Sequence, residues 1–479
     1  MIPCLPRRRL RVASHGRPAP AILGRVAVDA VDVVVAGCGP AGACAALGLA
    51  RGGARVAVVD PGQFPRDKAC GDLIGPLGLQ RLAELGVEVP GERLSGEIMV
   101  VGPSGRERRL PFSASPEYPA YMLASPRRAL DAALRDAALE AGAEPVLGRV
   151  AGLTRDARGR HEVLLGDGRR IRCQSVVGAD GAMSRVATDS GLVRSSRVLW
   201  GFALRCYVDA PVEFPYIVFW EPRPWRALPG YGWLFPGPDG RANVGLGVGV
   251  RDQRARAAVV GKLLPDFVAD LRSSGLLPPS ARAPLVEGSR RGGWIRVGLA
   301  GTTPARGRVL LAGDAAALVN PLQGEGMAEA ILSGSDAATA ILTAPDQAAD
   351  HYRRAIAERH GRFLPAAGAV HAAMLTRPGA ISAAGRLLTA PLFGAAVASG
   401  WSVYWNDLLA AAPRSRRRLT AAGLAAAARL CTRRSDVRRD ALAGLAPTPE
   451  GLPGSTTLVA GASSSSAGAR DAVAAAAGS

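Results

Sequence analysis

Apolar runs of strand length alternate along the first part of the chain with Ala- and Leu-rich stretches of helix length. Residues 31–36, VDVVVA, are the first such run, and their β-branched side chains suit a buried, pleated strand. Glycines begin immediately after it, in Gly37-Cys38-Gly39-Pro40-Ala41-Gly42, and the Ala/Leu-rich segment continuing through Ala50 predicts a helix. The next apolar run, Arg55 to Val59, ends at Asp60, 23 residues beyond Gly37. Two later runs also end in small, polar turns. They are Val176-Val177-Gly178-Ala179-Asp180-Gly181 and Val309-Leu310-Leu311-Ala312-Gly313-Asp314, the second predicted to open a helix near Asp314. Strands interleaved with helices in this way predict an α/β fold built on a parallel sheet.

The pattern changes after residue 195. Leu199–Val208, Tyr216–Trp220, Tyr231–Phe235, Asn243–Val250 and Trp294–Val297 are short runs broken by Pro, Gly and Asp, which predicts an antiparallel sheet. Aromatic residues are only 5% of the chain, yet Phe202, Tyr207, Phe219, Trp220, Tyr231 and Trp233 all fall here, implying either a pocket wall or a dense sheet core. The Ala-rich region 346–440 predicts helices. Within it, Leu387–Trp405 holds nineteen uncharged residues, close to the length of a membrane span, but its Gly, Ser, Tyr and early Pro391 favour a buried hairpin or a surface-lying element. Nine arginines between Arg414 and Arg439 surround the Ala-rich run 419–430, a pattern that suits anionic lipid heads and equally a solvated basic helix.

Composition narrows the classes. The 479 residues are 48% hydrophobic, enough for a sizeable core, and a prior from length suggests about three domain-sized units. Seven cysteines without a CxxC pair exclude a disulfide scaffold, point to a reducing, cytoplasmic setting and give no metal-ligand spacing. The net charge of +19 rests almost entirely on arginine, since only Lys68 and Lys262 are lysines. That charge attracts anionic surfaces, but it is spread along the chain without aromatic interleaving, so no nucleic-acid partner is expected. Residues 1–27 read as a flexible basic arm lacking a signal-like apolar run, and 441–479 as a flexible Ala/Ser/Gly-rich tail.

The strand, glycine turn, helix, strand and acid in that order carry a specific chemistry. Gly37 permits the tight turn, Gly39 lets a pyrophosphate approach the backbone, and Gly42 lets helix and strand pack closely. Free N–H groups at the helix start, beside Pro40 and Ala41, attract the pyrophosphate. Asp60, at the carboxyl end of the second strand, can accept hydrogen bonds from a ribose diol. This motif alone predicts an adenosine dinucleotide and does not choose between NAD and FAD.

The Asp180-Gly181 and Gly313-Asp314 turns, taken in this order, do choose. With them the chain resembles the flavoprotein hydroxylase and reductase superfamily, and within it the geranylgeranyl reductase-like branch, over roughly Val31 to Tyr404. The resemblance implies FAD as cofactor. It implies that Gly313 and Asp314 contact the ribityl and pyrophosphate portion, and that Asp180 supports the same region. Asn320-Pro321-Leu322-Gln323-Gly324-Glu325-Gly326 resembles the NPxxGEG run, so Pro321, Gly324 and Gly326 are expected near the isoalloxazine, as is Arg127 from its R-x-x-x-D arrangement with Asp131. Tyr231-Gly232-Trp233-Leu234-Phe235-Pro236 matches YxWxFP, which places Tyr231, Trp233 and Phe235 at the substrate cavity. Strand alternation puts these three on one face.

Phe64-Pro65-Arg66-Asp67-Lys68-Ala69-Cys70-Gly71-Asp72 is similar to the family's PxxKxCG segment, so Cys70, Gly71 and Asp72 are expected to border the flavin. Cys70 is the candidate catalytic residue: reducing a double bond requires a proton matched to the hydride, and a poised thiol can supply it. Arg66 and Lys68 are candidates for holding an anionic group, such as a diphosphate, at the cavity mouth. Asp72 stands where many members have a second glycine, and Ala317 also replaces a common glycine.

The expected architecture is therefore α/β, with a Rossmann-like FAD-binding domain of the flavoprotein hydroxylase type assembled from segments 28–90, 122–195 and 298–345. An antiparallel substrate domain would come from 91–121 and 196–297, and C-terminal helices from 346–440. The expected activity is FAD-dependent reduction of a carbon–carbon double bond in an isoprenoid or other apolar substrate. An FAD-dependent monooxygenase of a specialised metabolite is the alternative. NAD(P)H is the expected transient electron donor, although no second GxGxxG unit is present and an external reductase would serve as well. Peripheral contact with the inner face of a membrane is a further expectation.

Overall fold

The computed structural model describes residues 30–446 apart from 95–96, 112–117, 223–229, 251–252, 279–285, 287, 362, 378 and most of 393–435. Two large sheets and a small three-stranded one organise these residues. The first has eight strands, and its centre runs parallel in the spatial order Val309–Leu311, Arg170–Gly178, Ala30–Ala36, Val56–Asp60, Glu144–Leu147. Its central strand is almost continuously apolar because both faces are covered: Val33, Val34, Val35 and Ala36 are all buried. The glycine turn leaves this strand at its carboxyl end and enters the helix Pro40–Arg51, which packs against the helices Arg127–Glu140 and Met327–Thr343.

The second sheet has seven strands, in the order Arg291–Val297, Leu199–Val208, Ala242–Val250, Gly230–Pro236, Tyr216–Val218, Glu97–Val101, Glu107–Pro111. All its pairings are antiparallel except Tyr216–Val218 with Glu97–Val101. The helix Gln253–Ser273 covers one face through Leu264 and Phe267, which join the core of Leu204, Cys206, Val244 and Leu246. Phe202, Trp233 and Phe235 of this sheet line a cavity that also borders the glycine turn. Helices Ala348–His360, Leu364–Met374, Ala380–Leu388 and Asp436–Leu445 complete the described body.

This is the α/β architecture that the apolar pattern predicted, with an antiparallel sheet and C-terminal helices. One local expectation differs. The segment after Val309–Leu311 forms a single 3-10 turn, Gly313–Ala316, rather than an α-helix continuing from near Asp314. Ala317 turns left-handed at φ 57° and stops it, and the long helix starts only at Met327. The basic arm, the tail beyond residue 446, most of Leu387–Trp405 and most of the arginine-rich 414–435 stretch lie outside the described residues. Among the described residues, no helix is long and apolar enough to cross a membrane.

Candidate active site

The first sheet holds the start of the glycine turn through the Gly37 N–H, which donates to the Val59 carbonyl at 2.7 Å. Gly37 sits at φ 95°, and a Cβ there would lie 2.3 Å from the Ala179 carbonyl oxygen. At Gly42 a Cβ would lie 1.8 Å from the Gly37 oxygen, so both positions need glycine for the turn itself. Gly39 is different. Its nearest neighbours would be the guanidinium nitrogens of Arg127 at 3.8 Å and Arg66 at 3.9 Å, so the protein leaves open space there.

Gly39 offers the helix Pro40–Arg51 no side-chain cap, and there is no acid in the first turn. Its orphan N–H groups therefore favour an anion. A second helix start without a side-chain cap, Gly326–Met327, borders the same cavity, with Glu329 in its first turn. The glycine turn, the open helix start at Pro40 and the buried Arg127 form a cradle that fits FAD. Asp60 accepts from the Cys38 N–H at 2.8 Å, the Gly62 N–H at 2.8 Å and Arg66 at 3.2 Å. Three of its roughly four acceptor positions are thus used within the protein, leaving about one for a ribose hydroxyl.

Arg127 is buried and holds Asp131 through two bonds of 2.7 and 2.8 Å. Burial alone would lower its pKa, but the Asp131 carboxylate, hydrogen-bonded and charge-paired to it, more than offsets this, so the guanidinium stays charged. Arg66, expected at the cavity mouth, instead bridges Asp60 and Asp131 beside the glycine turn. Two carboxylates draw it there, away from the aromatic wall. Lys68 does line the cavity, on the side of Gly181. Asp180 turns inward and caps the short helix Arg185–Asp189, accepting from Ser184 Oγ at 2.5 Å and the Arg185 N–H at 2.7 Å. Burial raises its pKa against these bonds. Its neighbours Ala179 and Gly181, not its carboxylate, border the cavity, whereas Gly313 and Asp314 line it directly.

A cavity of about 440 Å³ runs from this turn to the second sheet. Cys70 and Gly71 line it, as does the loop Asn320–Gly326, including Pro321 and Gly324. That loop is closed on itself by the Asn320 N–H to the Glu325 oxygen and the Gly324 N–H to the Asn320 oxygen, both at 2.8 Å. Tyr231 fastens it to the sheet by donating its hydroxyl to the Gln323 carbonyl. Tyr231, Trp233 and Phe235 all line the cavity, and the last two rings stack at 6.3 Å between centroids.

The Cys70 thiol is pushed up from its ordinary pKa by burial and then by the Asp72 carboxylate, so it remains protonated. A protonated thiol can donate a proton and is a poor nucleophile. Asp72 stands off the cavity. It is buried in a network in which Tyr207 and Asn243 donate to Oδ2, and burial raises its pKa. Asn243 also donates to the Cys70 carbonyl at 2.8 Å and accepts from Trp233 Nε1 at 2.9 Å, tying the Cys70 loop to the aromatic strand.

Sequence reasoning did not single out Asn243, although a lone amide in the apolar run ANVGLGVGV was a usable signal. It also passed over the cavity walls given by Trp294 and by His371, Met374 and Ile381 of the C-terminal helices. His371 is neutral, burial holding its pKa down to about 4.

Comparison with known proteins agrees with this geometry. A family model described as an FAD binding domain matches residues 30–203. A menaquinone reductase of Mycolicibacterium smegmatis is 36% identical over 64% of this chain and 75% of its own length. Digeranylgeranylglycerophospholipid reductase 2 of Methanopyrus kandleri is 32% identical over 63% of this chain and 74% of its own. The fold is shared with a geranylgeranyl bacteriochlorophyll reductase-like protein of Thermoplasma acidophilum, at a TM-score of 0.64 and 20% identity, covering 79% of this chain and 96% of that one. The chain therefore belongs to the FAD-binding reductase family of the geranylgeranyl and menaquinone reductases, and it is an FAD-dependent oxidoreductase.

Proposed function

We propose that the chain saturates a carbon–carbon double bond in the isoprenoid side chain of a prenyl lipid, with a prenylquinone of the menaquinone type as the leading substrate. The observation that carries this reading is the continuous cavity, which joins the dinucleotide turn, the Cys70 thiol and the Tyr231–Trp233–Phe235 wall. The names of the relatives support the substrate class. FAD, when bound, supplies the hydride for such a reduction.

This chain's residues supply the rest. The helix start at Pro40 binds the pyrophosphate of the cofactor, and Asp60 binds its ribose. Lys68 remains a candidate for an anionic group at the rim. The aromatic wall takes up hydrocarbon, worth about 25 cal/mol per Å² buried, and excludes water. Cys70 holds the proton for the second carbon of the double bond. NAD(P)H is the electron donor of this reading, docking transiently, with a separate reductase in the same role as the competing source.

The helix Ala380–Leu388 suits loading from a membrane. Ile381 and Ala384 line the cavity, while Leu387 and, just beyond the helix, Leu392 are 50% and 85% exposed. An apolar edge at the cavity and a net charge of +19 fit an anionic bilayer surface.

The test is anaerobic incubation of the FAD-loaded protein with NADPH and a menaquinone, read by mass spectrometry. A product two hydrogens heavier in its side chain is expected. Oxygen-dependent turnover to a product one oxygen atom heavier would replace the reading with monooxygenation.

A further inference from the structure

On the strand Ala242–Val250, alternation places Asn243, Gly245, Gly247 and Gly249 on one face, one amide and three glycines. The Trp233 ring fills the room the glycines leave, since a Cβ on Gly245 would lie 2.1 Å from it and one on Gly247 3.6 Å. Asn243 meets the edge of that ring. It is 1% exposed, stands behind the cavity wall rather than on it, and accepts from Trp233 Nε1 at 2.9 Å. An indole N–H can only donate, so the atom facing it is the amide oxygen and the amide has one orientation. Its Nδ2 then points at the Cys70 carbonyl and at Asp72 Oδ2, each 2.8 Å away, one acceptor for each N–H. The same loop touches the aromatic wall again one residue on, where a Cβ at Gly71 would lie 2.8 Å from the Phe235 ring. One buried side chain thus fixes the backbone that carries the Cys70 thiol against a ring that lines the cavity.

Given Cys70 as the proton donor, a role that rests on the function proposed for the chain, we propose that Asn243 is the positioning residue for that proton. It sets the separation between the thiol and a prenyl chain lying on the aromatic wall. Transfer between two centres needs the reacting atoms about 3–3.5 Å apart, and a displacement of about 1 Å can cost about a hundredfold in rate. The amide holds both sides of that distance, the thiol through the Cys70 carbonyl and the chain through the Trp233 ring. Without it the loop and the ring move independently, so the chemical step suffers more than binding does. Asn243 does not itself reach the cavity, and its effect passes through Cys70 and Trp233.

The experiment mixes pre-reduced, FAD-loaded enzyme anaerobically with a saturating menaquinone and follows the saturated product by mass spectrometry, with Cys70 present and in a Cys70→Ala background. Asn243→Leu is similar in shape and removes the bonds to Trp233, Cys70 and Asp72 together. It is expected to slow product formation by about tenfold or more while FAD affinity is kept. In the Cys70→Ala background the same substitution should cost less than about twofold, because no thiol remains to be misplaced. A merely structural role would cost the same factor in both. A second readout needs no substrate: iodoacetamide labelling of Cys70 at fixed pH, located by peptide mass spectrometry, should run several-fold faster in Asn243→Leu as the loop loosens. Wild-type rates in Asn243→Leu, an equal loss in both backgrounds or an unmoved labelling rate would overturn the role. Should Asn243→Leu fail to hold FAD, Trp233→Phe, which removes the indole N–H, carries the test with the same pattern expected. A Cys70→Ala enzyme as fast as the parent sinks the thiol as proton donor and this role with it. A parent that makes no saturated product sinks the proposed function instead, and the labelling rate still decides whether Asn243 holds the Cys70 loop.

Discussion

Gly39 and Gly42 differ by three positions and by the reason each is glycine. A methyl at Gly42 collides with the protein's own backbone, whereas one at Gly39 meets nothing closer than 3.8 Å. Gly42→Ala is therefore expected to prevent folding. Gly39→Ala should fold with an unchanged circular-dichroism spectrum and lose FAD affinity by about tenfold or more, as an unfilled space for the pyrophosphate becomes occupied. Fluorescence titration of FAD separates the two. For Cys70→Ala, a loss of turnover near a hundredfold is expected from removing a general acid. His371 gives a pH prediction with a definite sign. Its folded pKa of about 4 lies below the ordinary value of 6.5, so the unfolded chain binds the proton more tightly. The associated stability is fully present above pH 6.5 and is lost as pH falls toward 4, each unit of separation being worth about 1.4 kcal/mol. Thermal melts of His371→Phe should show a shallower loss across that window than the parent.

At the scale of elements, the strand Ala242–Val250 shapes the cavity by what it lacks. A Cβ on Gly245 would lie 2.1 Å from the Trp233 ring, and one on Gly249 would lie 2.5 Å from Leu375 and 2.8 Å from His371. These glycines let an aromatic strand and a C-terminal helix approach the sheet closely. Gly245→Ala must displace Trp233 and its bond to Asn243. A lower melting temperature and a raised KM for the prenyl substrate are expected, with FAD affinity retained because the glycine turn is on another sheet. Loss of FAD affinity in that variant would show that the two halves are more strongly coupled than this strand implies.

For the whole molecule, distant segments meet at one cavity: the turn 37–42, the loop containing Cys70 and the small-residue turn at Gly313 all border it. FAD should therefore stabilise the entire fold. At a hundred times its dissociation constant a ligand of the native state adds about 2.7 kcal/mol, so the melting temperature should rise with added FAD and fall when it is stripped. A melting temperature independent of FAD would place the ligand elsewhere.

The sequence by itself determined what depends on neighbours in the chain. Apolar period and β-branched runs marked the strands of both sheets, and the order of strand, glycine turn, helix and acid marked the dinucleotide turn, because turn geometry and helix-start chemistry are local. Alternation likewise placed Tyr231, Trp233 and Phe235 on one face. Tertiary structure decided what those side chains face. Arg66 pairs with Asp131 rather than reaching the cavity mouth, and Asn243 joins Cys70 across 173 residues of sequence. His371 comes to the cavity from a helix whose Ala-rich pattern shows only that it is buried. Hydrogen bonds and charge pairs form between groups that folding brings together, and no period along the chain records which distant partner each will meet.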